Sequence, residues 1–164
     1  MPGSNISSLS PDAMKISVTA TSTAKPALGR SAVLRVVKAT LAAEGLRSAD
    51  PWEVAIRFTA AADIRAVNRE WRGIDRATDV ISFPAAEGQG GEYAGFLLGD
   101  LLIAPEVVAA HARQYRTTVE RETAFVIVHG LLHLLGYDHA TVSERRLMRE
   151  RQNAIMERIG HGAA

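Results

Sequence analysis

The chain has 164 residues, 47% of them hydrophobic and 23% charged, and its 19 Lys and Arg residues nearly balance 18 Asp and Glu residues, giving a formal net charge of +1. This composition excludes a disordered or fibrous protein, and the net charge is too small to indicate nucleic-acid binding by itself. Cysteine is absent, which excludes disulfides and thiolate sites, so that a transition metal would be held by His, Asp or Glu.

The N-terminal residues differ in composition from the rest of the chain. Residues 1–14 are rich in Ser, Pro, Gly and Asn and are predicted to be a flexible leader, whereas the length of residues 15–160 predicts a single folded domain. The sequence contains neither a secretion-type apolar segment nor a run of about 20 apolar residues. We therefore expect a cytoplasmic protein without a membrane partner.

The first predicted elements are strand, helix and strand. Ile16–Thr21 alternates weakly and predicts an edge strand. Ser31–Glu44 has apolar residues at helical spacing, with Ser31 as the expected N-cap and Gly45 as the stop. In Val54–Phe58 apolar and more polar residues alternate, which predicts a half-buried strand.

A second helix is predicted to follow directly. Thr59 is expected to cap its N-terminus, and Ile64, Val67 and Trp71 recur at positions that would form its inner face. Gly73 is the expected end of this helix.

Two strands are predicted next. They are Asp79–Phe83 and the almost continuously hydrophobic Phe96–Ile103, separated by the Gly-rich segment Glu87–Gly95, which predicts a mobile loop. The hydrophobic run predicts a strand covered on both faces. Its interruption by Gly99 and Asp100 indicates a bulge or a functional kink.

Three helices complete the prediction. Pro105 opens a helix through about Gln114, and a strongly apolar helix follows over Thr118–Leu135, with Thr117 and Glu120 at capping-box spacing. Thr141 and Glu144 repeat that spacing for a last helix ending near Ile159. This mixed order favours an α+β domain, with a small mixed β-sheet of about four strands packed against helices.

The segment from His129 to His139 contains three of the five histidines. Four residues separate His129 from His133, which on a helix places both side chains on one face with Cβ atoms about 5–6 Å apart. Gly136 can adopt the left-handed conformation that ends the helix, so that His139 returns toward the same point. Three nitrogen ligands leave the fourth tetrahedral position to water, as in catalytic zinc sites, where the water pKa falls to ~7.

These residues also have alternative interpretations. A histidine on an apolar helix is more often a hydrogen-bonded core residue, but three such imidazoles without partners would be costly to bury. His111 lies outside the pattern and is interpreted as a surface or packing residue. Asp138 is either an acceptor that fixes the tautomer of a ligand imidazole or a turn residue.

The residue after the first histidine limits which reactions the predicted metal site would catalyse. Zinc peptidases of the H-E-x-x-H type have a Glu there as general base, and this chain has Gly130. Peptidase activity is therefore disfavoured. Phosphodiester cleavage is favoured instead, and it needs a positive group near the metal to stabilise developing charge.

Four sequence blocks within residues 50 to 159 resemble the bacterial YbeY family of rRNA-maturation endoribonucleases. The blocks occur in the order found in that family, and the histidine block is rare by chance. Two departures are Ala77, where the family more often has proline, and the longer leader. The blocks are Asn68-x-x-Trp71-Arg72-Gly73, Thr78-Asp79-Val80-Ile81-Ser82-Phe83-Pro84, Leu98-Gly99-Asp100-Leu101 and H-G-L-L-H-L-L-G-Y-D-H from His129 to His139.

The resemblance implies a zincin-like fold and single-strand-specific RNA cleavage. It implies one Zn²⁺ on the three histidines, with His129 and Arg72 as catalytic residues, and a role in 16S rRNA 3′ end maturation and ribosome quality control with the small ribosomal subunit and its assembly factors. Arg72 alternatively complements the dipole at its helix C-terminus. Thr78 and Ser82 are expected to line the substrate cleft or to belong to a sheet edge.

Two other functions stay open on the sequence. One is a non-catalytic ribosome-assembly module with a structural metal, and the other is a metal hydrolase of another substrate, such as a small phosphoester or a peptide. The loaded metal is also open, since nickel and other ions bind imidazole. Four arginines of the last helix either bind the RNA backbone or form a solvated face; they are Arg145, Arg146, Arg149 and Arg151.

Overall fold

The computed structural model describes residues 14–85 and 96–162. Within these ranges it has four strands and five helices, which confirms the α+β class. The strands are β1 (Lys15–Ala20), β2 (Glu53–Phe58), β3 (Val80–Pro84) and β4 (Leu97–Ile103), and the helices are α1 (Arg30–Ala43), α2 (Ala61–Arg72), α3 (Pro105–Gln114), α4 (Val119–Leu134) and α5 (Val142–Gly162).

The four strands form one mixed sheet in the order β1-β2-β4-β3. β1 pairs with β2 and β2 with β4 in parallel, whereas β3 runs antiparallel to β4. β1 therefore lies at an edge, as its weak alternation predicted. In β2 the side chains of Val54, Ile56 and Phe58 are buried and Arg57 is exposed, which confirms the predicted half-buried strand.

Helix α4 lies at the centre of the core. It contacts β3, β4, α1, α3 and α5, and its core residues Val126, Ile127, Val128, Leu131 and Leu132 are at most 1% exposed. A helix that is apolar on most of its circumference needs such neighbours on several sides. The two histidines on this helix are consequently held by the most closely packed part of the molecule.

Gly99 lies at the predicted irregularity in β4. The register of β2 and β4 shifts between Glu53 and Val54, whose partners are Leu97 and Gly99, so that β4 has a bulge there. Gly99 has φ +134°, and a Cβ atom at this position would stand 2.2 Å from the carbonyl oxygen of Phe83. Only glycine fits this close approach of β3 and β4.

We therefore expect Gly99→Ala to destabilise the protein strongly. The backbone contact cannot be relieved by rotating a side chain, so the free energy of unfolding should fall by about 3 kcal/mol or more. Urea denaturation followed by circular dichroism measures this change. Gly29→Ala is the matched control, because a Cβ atom there meets nothing within 4 Å, and an equal loss in both variants would contradict the argument.

The predicted N-caps of α1 and α2 were wrong, by two positions and by one position. The N-cap of α1 is Gly29 instead of Ser31, and that of α2 is Ala60 instead of Thr59, whose hydroxyl bonds to Asp63. In both helices the N-cap residue has an extended backbone and makes no capping hydrogen bond with its side chain. Sequence spacing alone does not fix which residue leaves the helical conformation.

The caps of α4 and α5 give one correction and one confirmation. Thr118, not Thr117, caps α4, and its hydroxyl accepts a hydrogen bond from the amide of Arg121 at 3.1 Å. In α5 the predicted capping box is present, with reciprocal bonds between Thr141 and Glu144 of 3.0 and 3.1 Å.

The inner face of α2 also differs from the prediction. Ile64 is buried, but Trp71 is 70% exposed and lies edge-on to Phe83. The buried residue at the end of the helix is Asn68, whose amide donates to the carbonyl of Arg76 at 2.8 Å. The spacing of apolar residues could not predict that the polar side chain of Asn68 is buried and holds the loop after α2.

Two predictions fall on parts of the chain outside the described residues. The loop Glu87–Gly95 lies there, as does the leader up to residue 13. Met14, the last leader residue, packs against the core. No helix in the described ranges is both long enough and apolar enough to cross a membrane.

Candidate metal centre

Helix α4 places His129 and His133 on one face, as their spacing predicted. Their ring centroids are 4.7 Å apart, and Phe125 stacks on His129 from the preceding turn. Both imidazoles are half-buried, because the opposite side of the helix packs in the core while this side faces a cleft. The helix therefore fixes two nitrogen ligands before any metal binds.

The turn after α4 brings His139 to the same point. Gly136 has φ +99°, a conformation that costs glycine little. The hydroxyl of Tyr137 donates to Glu44 on α1 at 2.6 Å, and Arg151 on α5 lies 3.6 Å from the same carboxylate. This network anchors the turn to two helices, and the His139 ring centroid lies 5.0 Å from that of His133.

The nitrogen atoms of the three rings are spaced as metal ligands are. The Nε2 atoms of His129 and His133 are 3.1 Å apart, and one ligand atom from each of the three histidines lies within 4.8 Å of the others. Tetrahedral zinc with bonds of about 2.0–2.1 Å requires nitrogen separations of about 3.3 Å. A donor set of three imidazoles therefore fits a zinc ion, with no described fourth side chain in the group.

The local environment favours the neutral form of the His129 and His133 imidazoles, which is the form that binds metal. The pKa of His129 is lowered from 6.5 to about 4, mainly by burial and next by the neighbouring His133, against the opposing effect of Asp79. Burial is also the main cause that lowers the pKa of His133. These two imidazoles are thus unprotonated at neutral pH.

The lowered pKa of His129 predicts how the metal-free protein responds to acid. The unfolded chain takes up a proton near pH 6.5, whereas the folded chain does so only near pH 4, so stability is lost as the pH falls through this interval. The loss attributable to His129 should be about 3 kcal/mol. Urea denaturation in the presence of a chelator measures it, and His129→Gln should lose less over the same range. Parallel profiles for the two proteins would contradict the prediction.

Gln152 on α5 contacts the other nitrogen of His129. Its side-chain amide meets Nδ1, and the residue is 6% exposed. When Nε2 binds a metal, Nδ1 carries the proton, so the amide must turn its oxygen toward the ring to accept a hydrogen bond from the Nδ1–H group. The apolar and capping patterns used for α5 gave no signal for this residue.

We expect Gln152→Leu to weaken metal binding about 10–100-fold, because the ring of His129 loses the partner that fixes its tautomer and orientation. Competition with a chromophoric zinc chelator measures the affinity directly. Asn153→Leu is the matched control, since this amide is the next residue of α5 and is exposed. Equal affinities for the Gln152 and Asn153 variants would show that the contact does not orient the ligand.

The three histidines line a cleft of about 590 Å³, together with Arg72, Thr78 and Ser82. Arg72 is exposed at the end of α2 and forms no ion pair with another described residue. Its charge contributes to the lowered pKa of His133. The cleft thus brings three imidazoles together with a guanidinium group that has no ion-pair partner among the described residues.

Two cleft residues also have structural contacts. The Ser82 hydroxyl donates to the carbonyl of Gly130 at 3.2 Å, joining β3 to α4. Asp138 accepts the backbone N–H of His139 at 2.7 Å, which is a turn contact, and its charge raises the pKa of His133. No hydrogen bond from Asp138 to a ligand ring occurs among the described residues.

The four arginines of α5 considered above, Arg145, Arg146, Arg149 and Arg151, are exposed. Arg146 pairs with Glu150 at 3.1 Å, and Arg151 lies 3.6 Å from Glu44. His111 is not a plain surface or packing residue, because its Nδ1 lies 3.2 Å from a carboxylate oxygen of Asp79. This pair was not predicted, since its members are distant in sequence.

The fold and the site together define a class of α+β proteins in which three histidines, two from one helix and one from the turn after it, converge in an open cleft. The sequence model of the endoribonuclease YbeY family matches residues 17–160. The chain belongs to this family.

Similar proteins support the assignment. The endoribonuclease YbeY of Caldanaerobacter subterraneus subsp. tengcongensis is 41% identical over 137 residues, covering 78% of this chain and 85% of that protein. The endoribonuclease YbeY of Desulforamulus reducens is 44% identical over 128 residues, covering 76% of this chain and 82% of the relative. The solution structure of a Thermotoga maritima protein aligns with a TM-score of 0.58 and 25% identity over 88% of each chain.

Proposed function

We propose that the protein is a zinc-dependent endoribonuclease that cleaves single-stranded RNA. The observation that carries the proposal is the convergence of three histidine side chains in a cleft that also contains Arg72, which has no ion-pair partner in the described part of the chain. Family membership supports the choice of RNA as substrate, because the matching family and the relatives are named as endoribonucleases.

The proposed metal ligands are His129, His133 and His139. Zinc suits them because neutral imidazoles are good ligands for this ion, and three protein ligands are typical of its catalytic sites. When bound, zinc supplies Lewis acidity, which polarises phosphoryl oxygens and makes water more acidic. His129 is central because it is the most buried of the three and its second nitrogen contacts Gln152.

Arg72 is the proposed partner of the scissile phosphate. A guanidinium group donates two parallel hydrogen bonds to phosphate oxygens, and it stabilises the charge that develops on them during cleavage. Its exposed position at the cleft leaves these donors available. Thr78 and Ser82, which line the same cleft, are placed to contact the ribose-phosphate backbone.

The proposed cellular role is maturation of the 16S rRNA 3′ end and ribosome quality control. The RNA and the small ribosomal subunit with its assembly factors would be the partners, and the cytoplasm would be the compartment. Support for this role comes from the family to which the chain belongs. The single-strand preference agrees with an open cleft, which a flexible strand can enter more easily than a stiff duplex.

The proposal is tested with end-labelled single-stranded RNA and a duplex of the same sequence. We expect the single strand to be cleaved, the activity to disappear after chelation, and zinc to restore it. RNA cleavage that persists after the metal has been removed would contradict the proposal, as would preferential cleavage of the duplex.

A further inference from the structure

A second group of ligand-type side chains lies outside the three-histidine centre. Asp79 precedes β3, His111 lies on α3 and Glu122 lies on α4. One ligand atom from each residue lies within 4.8 Å of the others. We refer to these three residues as the Asp79 cluster. We propose that this cluster binds a divalent transition-metal cation.

Glu122 provides the first argument. Its side chain belongs to a residue that is only 7% exposed, yet its carboxylate has no hydrogen bond or ion pair within residues 14–85 and 96–160. A carboxylate in a largely buried residue loses part of its hydration, and without a hydrogen bond or an ion pair nothing replaces it. Burial raises the pKa of Glu122, and the neighbouring charge of Asp79 raises it further. A cation among these side chains would remove both penalties.

The charge of the cluster provides the second argument. Asp79 and Glu122 contribute two carboxylates, whereas His111 contributes at most one positive charge. No Lys or Arg in the described ranges forms an ion pair with either carboxylate. The three side chains therefore leave a partly buried site with excess negative charge that a divalent ion would balance.

The geometry already orients the ligands. One oxygen of Asp79 accepts the amide of Val80 at 2.8 Å and the hydroxyl of Thr78 at 3.4 Å. Its other oxygen is thereby directed at Nδ1 of His111, at 3.2 Å. Metal binding would replace this hydrogen bond: Nδ1 of His111 would bind as the unprotonated nitrogen of a neutral imidazole with its proton on Nε2, and the two carboxylate groups would complete the ligand set.

The ligand set indicates the kind of ion. Two carboxylates with one imidazole suit Mn²⁺ or Zn²⁺ better than Mg²⁺, which prefers oxygen and retains its waters. Asp79 also lines the cleft of the three histidines, so this site would adjoin the substrate path. The proposal does not depend on the endoribonuclease function, since it rests on residues outside the proposed zinc ligands.

The test uses a chain whose first site has been removed. In a His129→Ala/His133→Ala variant, titration with Mn²⁺ followed by electron paramagnetic resonance should show one bound equivalent and a Mn²⁺-dependent rise in the melting temperature. Adding Glu122→Gln, which keeps the side-chain shape, should abolish both effects. Adding Glu120→Gln, at an exposed position of the same helix, should leave both unchanged.

Adding His111→Asn to the double variant provides a second test of the cluster, and this substitution should also abolish binding of the Mn²⁺ equivalent. Circular dichroism verifies that each variant is folded. The proposal is overturned if the folded double variant binds no Mn²⁺, or if it binds one equivalent that survives both Glu122→Gln and His111→Asn. Loss of RNA cleavage in the double variant bears only on the proposed function.

Discussion

Replacing His129 by alanine is expected to lower the rate of RNA cleavage by at least about 10³-fold. The substitution removes one proposed metal ligand together with its contact to Gln152. Because the metal would act as a Lewis acid, its loss removes several kcal/mol of transition-state stabilisation. Cleavage of end-labelled single-stranded RNA under single-turnover conditions measures the effect. Wild-type and variant proteins are purified in parallel, which reveals contamination by another nuclease.

Whether the His129→Ala variant remains folded distinguishes a catalytic role of the metal from a structural one. His129 lies at the cleft side of α4 and is not among its fully buried residues, so the far-UV circular dichroism spectrum should be unchanged. If His129→Ala unfolds while wild-type protein without metal also unfolds, the ion is structural, and the non-catalytic assembly module is favoured. Undiminished cleavage by a folded, metal-free variant would contradict the assigned role.

Replacing Arg72 by alanine is expected to lower the cleavage rate about 10²–10³-fold without lowering metal affinity. The loss corresponds to removing one preorganised donor to developing negative charge. Arg72→Lys should recover part of the rate, because lysine keeps the charge but not the bidentate geometry. Rate constants and zinc affinity are measured on the same preparations.

Arg69 is the matched control for this experiment. It also lies in the last turn of α2, and its ion pair with Asp75 is an exposed contact of 4.0 Å, which is worth little. Arg69→Ala should therefore cleave RNA at nearly the wild-type rate. If Arg72 only complements the helix dipole, both variants will show the same small loss of stability and the same activity.

The fold was largely predictable because hydrophobic periodicity reports local burial. The alternation in β2 and the strongly apolar run in α4 gave the correct elements, and Gly99 marked the bulge. The N-caps of α1 and α2 were wrong, since an extended residue can begin a helix without a side-chain bond. Trp71 was assigned to the inner face because a large apolar residue at helical spacing does not reveal whether a neighbouring element covers it.

The convergence of the histidines was predictable for a different reason. His129 and His133 share a helix face, and Gly136 permits the bend before His139, so that all the required information lies within one short segment. Gln152 and the Asp79 cluster could not be found in this way. Their contacts join residues on separate elements, and only the packing of α3, α4, α5 and β3 determines which of these side chains meet.

Anomalous X-ray diffraction at the zinc edge, from crystals grown with zinc, tests the central claim most directly. We expect a peak about 2.0–2.1 Å from one nitrogen each of His129, His133 and His139, with no protein side chain in the remaining coordination position. A further peak at the Asp79 cluster would be compatible with this result. Rings that face away from one another, or a fourth protein ligand closing the position, would contradict the account.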